Sequence, residues 1–107
     1  MNAPVIRISI GNFGPDRAAA VEAKLQESKA LLESGIRAMT GNLAYYVGID
    51  RTNHAMHNVS VRESVADANQ VATFAPMLAL AAEFTTLGVR FEQPILNCET
   101  LRQLDGR

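Results

Sequence analysis

The groups able to do chemistry gather on two short stretches. Val5 to Ile10 carries Arg7 and Ser9, and His57 to Glu63 carries Asn58, Ser60 and Arg62. Both stretches alternate apolar with polar residues, which is the period of a strand, and residues two or four apart in a strand share a face. Ile6, Ile8 and Ile10 thus oppose Arg7 and Ser9, while Val59 and Val61 oppose Asn58, Ser60 and Arg62. Two guanidiniums, a carboxamide and two hydroxyls on one face suit an anionic ligand or negative charge developing on an oxygen. Each group also has a plainer use. Arg7 and Arg62 can pair with Glu99 or Glu63, because buried charges persist only when partnered. Asn58 and Ser60 can close backbone hydrogen bonds near a hairpin, and Tyr45 and Tyr46, adjacent and so on opposite faces, can both pack.

The elements that must position these residues are set by pattern. After the strand Val5 to Ile10, the cluster Gly11 to Asp16 reads as a turn. Ala18, Val21, Leu25, Leu32 and Met39 then recur near a helical spacing, predicting an amphipathic helix that ends near Ser34-Gly35, with Met39 as the limit of one further turn. Leu43 to Ile49 is the second strand, Asp50 to His54 a turn, and His57 to Glu63 the third strand. Ser64 with Asp67 three residues on resembles a capping box, and Pro76 separates two helical pieces, Val65 to Ala75 and Pro76 to Thr86. Gly88 ends the second piece, Pro94 to Leu101 is the fourth strand, and Gln103 to Arg107 is a tail.

The order βαββαβ predicts an α+β domain with a ferredoxin-like antiparallel sheet and helices on one face, the first and third strands lying side by side at its centre. Helices can cover only one side, so the isoleucine and valine side needs a partner, and the expectation is a homodimer.

With 107 residues, the chain has room for one domain, residues 1–107 with a core of about 5–101. Hydrophobic residues at 48% and charged residues at 20% exclude disordered and low-complexity classes. A net charge of −1 gives no footprint for nucleic acid, and the central strands lack the paired aromatics of RNA-binding domains. No span of about 18 apolar residues occurs, so no membrane partner is expected. Met1 to Ile10 lacks the basic region of a signal peptide, and the lone Cys98 reads as a buried small hydrophobe in a reducing, cytoplasmic setting. His54 and His57, three apart around a hairpin, are too few for a metal site. Gly11-Asn12-Phe13-Gly14 is too short for a phosphate cradle.

The stretch Gly41-Asn42-Leu43-Ala44-Tyr45-Tyr46-Val47-Gly48-Ile49-Asp50, the hairpin, and Val61-Arg62-Glu63-Ser64-Val65-Ala66-Asp67-Ala68 together resemble the antibiotic biosynthesis monooxygenase-like family. The resemblance covers about residues 5–101 and implies a dimeric α+β barrel with a cleft between sheet and helices in each subunit. It implies oxidoreductase chemistry, the oxygenation of small aromatic substrates with no metal, flavin or other cofactor. The family's strand-three tryptophan falls at Arg62, and this chain has no tryptophan. Some oxygenating members carry an asparagine four residues earlier, which falls at Asn58. The resemblance thus casts Asn58 and Arg62 as a catalytic pair stabilising an enolate, with His57 or a tyrosine moving the proton. Arg7, Ser9, Tyr45, Tyr46 and Ser60 are the expected substrate-binding residues. The rival expectation is a non-catalytic dimeric module of the same fold, binding a small molecule or a protein.

Overall fold

The computed structural model describes residues 3–104; the last part of the expected tail, from 105 on, lies outside them. Strand β1 spans Val5–Asn12 and leads through a 3-10 turn, Pro15–Arg17, into helix α1, Ala18–Arg37. The hairpin strands are β2, Asn42–Asp50, and β3, Ala55–Arg62. Helix α2, Val65–Asn69, starts at Ser64, whose hydroxyl accepts from the Asp67 backbone N–H at 3.1 Å, the cap that the Ser64/Asp67 spacing predicts. A 3-10 turn, Gln70–Thr73, separates it from α3, Ala75–Thr86, and Pro76 stands in the first turn of α3, where its missing N–H costs nothing.

With β4 at Arg90–Phe91 and β5 at Leu96–Glu99, the sheet order is β2-β3-β1-β4, all antiparallel, and β5 also pairs with β1. This is the ferredoxin-like α+β arrangement with β1 and β3 at the centre. The single fourth strand expected over Pro94 to Leu101 is instead two segments. Strand β4, Arg90–Phe91, lies against Gly11 and Asn12, and β5 lies against Val5 to Ile8. Between them stands Pro94, which has no N–H to give the ladder.

The helix α1 runs through Gly35 to Arg37. Gly35 serves close approach: a Cβ there would collide with the ring of Phe74, the residue between the second 3-10 turn and α3. A glycine that reads as a stop signal is thus a docking point for the neighbouring helix.

The core lies between the sheet and α1 and α3, with Phe13, Val21, Leu32, Ile36, Met56, Leu80, Phe84 and Val89 all buried. Each contributes roughly 1.5–3 kcal/mol by leaving water, and together they hold the helices on one sheet face. The register identifies the opposite face: Ile6 stands beside Val61 and Cys98, Ile8 beside Val59 and Leu96, and Ile10 beside His57. No helix covers it, so Cys98, expected to be buried, is exposed. No helix among the described residues is long and apolar enough to cross a membrane.

Candidate functional site

The face that α1 and α3 do cover carries the polar residues. Across the sheet, Tyr45 pairs with Ser60 and Ser60 with Arg7; the next row on that face runs Val47, Asn58 and Ser9. Core packing closes only part of the space above them. A cavity of about 590 Å³ remains between sheet and helices, a size typical of small-molecule sites. Arg7, Ser9, Tyr45, Asn58 and Met56 line it from the sheet. Leu25, Ser28 and Leu32 line it from α1, and Met77, Leu80 and Phe84 from α3. Apolar side chains thus form most of the walls, and polar groups converge at the floor.

The floor is organised by one hydrogen bond. The Tyr45 hydroxyl donates to Asn58 Oδ1 at 2.7 Å, across the diagonal between neighbouring strands. With Oδ1 taken, the Asn58 Nδ2 amide is left to donate. Burial pushes the Tyr45 hydroxyl up to about 12, against the opposing pull of Arg62 and Arg7, so at neutral pH Tyr45 is a proton-bearing donor. An alkaline titration followed by tyrosinate absorbance should show a step near 12 that Tyr45→Phe removes. An unfolded chain gives up that proton near 10. Between about 10 and 12 the unfolded state binds fewer protons than the native one, and this contribution to stability is lost as the pH rises through that window.

Behind the cavity wall lies Arg62, one row beyond Ser60 on the same face, across from Val5. Its relative exposure is 0%, and none of its three guanidinium nitrogens has a hydrogen-bond partner among the described residues. Arg7 is 7% exposed. Neither arginine forms an ion pair among the described residues; Glu63 and Glu99, the partners the sequence offers, are exposed. Burial, and then the charge of Arg62, lower the affinity of Arg7 for its proton, and burial does the same to Arg62, opposed by Tyr45 and Asp67. Both remain cations at neutral pH, because a guanidinium starts so far above it.

The predicted residues therefore divide into three groups. Arg7, Ser9, Tyr45 and Asn58 line the cavity; Ser60 and Arg62 share their face, buried and outside the lining. His57 and Tyr46 are not brought to the cleft. The two-residue period sets His57 beside Ile10 and Gly48, and Tyr46, 64% exposed, beside Val59, all on the uncovered face. The expected proton transfer by His57 within this cleft thus finds no geometric support, and of the two tyrosines it is Tyr45 that enters. Sequence reading missed the helix-side lining. Leu25, Ser28, Lys29 and Leu32, at i, i+3, i+4 and i+7, were the available signal, since such residues share one helix face. On the same helix Glu22 and Glu33 also line the cavity. The hydrogen-bonded guanidinium of Arg51 holds the Glu22 carboxyl below the usual carboxylate range.

No protein-family model matches the chain, and no curated protein matches it. Solved structures do match over almost its whole length. A Pseudomonas aeruginosa protein is 20% identical, with 95% of this chain and 98% of that one covered at a TM-score of 0.70. A Deinococcus radiodurans protein, provisionally named an antibiotic biosynthesis monooxygenase, is 14% identical over 94% and 96% of the two chains, TM-score 0.71. A Nitrosomonas europaea protein with the same provisional name is 10% identical over 94% and 93%, TM-score 0.71. At such identities the likeness is one of fold, and the chain has the ferredoxin-like α+β fold of structures that carry the antibiotic biosynthesis monooxygenase name.

Proposed function

We propose that the chain is a cofactor-independent monooxygenase that works as a homodimer in the cytoplasm and oxidises a small, enolisable aromatic substrate in this cleft. The observation that carries the reading is the floor of the cavity, where Arg7 and the free Asn58 amide converge beneath apolar walls. Oxygenation without a cofactor requires an electron-rich substrate, and loss of a proton to give an enolate supplies one. Asn58 and Arg7 would donate to the enolate oxygen, and the buried charge of Arg62 would lower its energy further. Glu33 is the lining carboxylate left to accept the proton, since Glu22 is tied to Arg51. The enolate carbon then bonds to dioxygen, and the resulting peroxide loses water to leave a new carbonyl, so one substrate and one O₂ give one ketone and one water.

The test is oxygen uptake with anthrone, an enolisable aromatic ketone, which this stoichiometry converts to anthraquinone and water. Asn58→Ala should lower kcat/KM by roughly 10²–10³, the usual cost of removing one preorganised oxyanion donor. Uptake no faster than without protein would exclude anthrone-type turnover. The second reading, a non-catalytic binding module, draws on the fact that neither histidine lines the cavity. Binding of an aromatic ligand with no oxygen uptake would mark that case.

A further inference from the structure

We infer that the cleft takes an amphipathic organic anion, a compact hydrophobic body lodged between α1 and α3 with a carboxylate or equivalent oxyanion held by Arg7. The inference deepens the small-molecule reading of the cavity and rests on it. Its ground is a charge imbalance within the helix-sheet layer. Arg7 and Arg62 lie on one sheet face, 7% and 0% exposed, with no carboxylate paired to either among the described residues. Buried charge without a partner is costly, and a fold keeps it where something else supplies the counter-charge. Tyr45, held neutral, cannot do so, and Asp67 favours the Arg62 cation but does not act on Arg7, which is left without a counter-charge. On the helix side Lys29 and Glu33 are of opposite sign, and Glu22 is occupied by Arg51.

The two arginines have separate parts. Arg7 lines the cavity and can present its planar fork of N–H donors to a carboxylate, a match in geometry as well as charge. Arg62 is sealed behind it and acts through its field alone, as a positioning residue that raises the potential at Arg7. The apolar part of the lining sets the other half of the ligand. Leu25, Leu32, Met77, Leu80 and Phe84 offer no hydrogen bonds, so the part of the ligand lying against them is apolar, whereas Gln26, Ser28 and Gln93 are polar groups elsewhere in the wall.

Isothermal titration of the intact protein, in a low-salt buffer free of carboxylate and phosphate, tests this with three probes: 2-naphthoate, its neutral analogue 2-naphthamide, and acetate. The expected result is 2-naphthoate binding at least tenfold tighter than either of the others. Arg7→Met should weaken naphthoate at least tenfold more than it weakens the amide, and Arg7→Lys, which keeps the charge without the fork, should fall between. Equal binding of naphthoate and naphthamide to the unaltered protein overturns the anion inference and leaves the cleft reading standing. Acetate binding as tightly as naphthoate overturns the apolar half. Binding of none of the three overturns the inference and removes its foundation, the small-molecule cleft, as well. If Arg7→Met fails to fold, the amide comparison and Arg7→Lys still decide.

Discussion

Arg62→Met raises the melting temperature. An ordinary large core residue loses stability when changed, because its contacts go and a void remains. Arg62 differs in that its guanidinium is fully enclosed and hydrogen-bonded to nothing among the described residues, so the native state carries a desolvation cost that exceeds what the nearby charge of Asp67 returns. Methionine keeps the unbranched stem and discards the charge, and exchanging buried ionic groups for apolar ones of similar volume is commonly neutral or stabilising by about 1–4 kcal/mol. In a domain near this size, 1 kcal/mol moves the midpoint by about 4–8 °C, so calorimetry resolves even the lower figure. Guanidinium stays protonated across the accessible range, so the gain should persist from acid to mildly alkaline pH. A loss of about 3–5 kcal/mol would instead mean that a partner had been stranded. Asp67, whose charge favours the Arg62 cation, is the group to examine then, by a double-mutant cycle with Asp67→Asn. The gain has a functional counterpart. If the buried cation is kept to polarise the cleft, the more stable variant should bind 2-naphthoate less well, the exchange expected where a site is held at the expense of stability.

How much of the fold and the site is legible in the sequence depends on the range of the interaction. Alternation along β1 and β3 is a local property, and it places Arg7, Ser9, Asn58, Ser60 and Arg62 on one face and the isoleucines on the other, as the register shows. The Ser64 cap is equally local and equally legible. What sequence could not supply were relations between distant segments. Gly35 reads as a helix terminus until Phe74 is seen against it. Cys98 reads as buried until its strand is seen to place it beside Ile6 on the face without helices. Glu63 is a plausible partner for Arg62 by proximity alone, yet it lies just past the end of β3 and is exposed while Arg62 is enclosed, and no ion pair forms between them. Glu99 is on the correct side, across β1 from Arg62 with Val5 between them, but it is exposed and forms no ion pair there. The site's charge imbalance is therefore a tertiary fact, invisible while two glutamates stand as available partners.

The uncovered face leads to the other large expected effect: in the proposed homodimer, Ile8→Lys should convert dimer into monomer. Ile8 is at the middle of this face, with Val59 on one side and Leu96 on the other, and Tyr46 next beyond Val59. Tyr46 is 64% and Leu96 46% exposed, together with half-buried isoleucines and valines that no helix reaches. A continuous apolar surface on a domain of 107 residues is an association surface. Face-to-face pairing of two such sheets about a two-fold axis would cover both copies, which is the arrangement we propose for the homodimer. A lysine at its centre would be buried without a counter-charge, so the dissociation constant should rise by at least 10²–10³. Ile8 points away from the core, so far-ultraviolet circular dichroism and the cleft on the opposite face should be preserved, which separates dissociation from misfolding. Sedimentation at micromolar concentration should give a dimer for the parent chain and a monomer for Ile8→Lys. The parent's melting temperature alone should rise with concentration. Cys98 provides an independent readout: beside Ile6 on the same face, it is exposed in the single chain and would be enclosed by a partner in the proposed dimer. Its alkylation should be slow in the parent chain and fast in the variant, and equal rates with a monomeric parent would leave the apolar face without its proposed occupant.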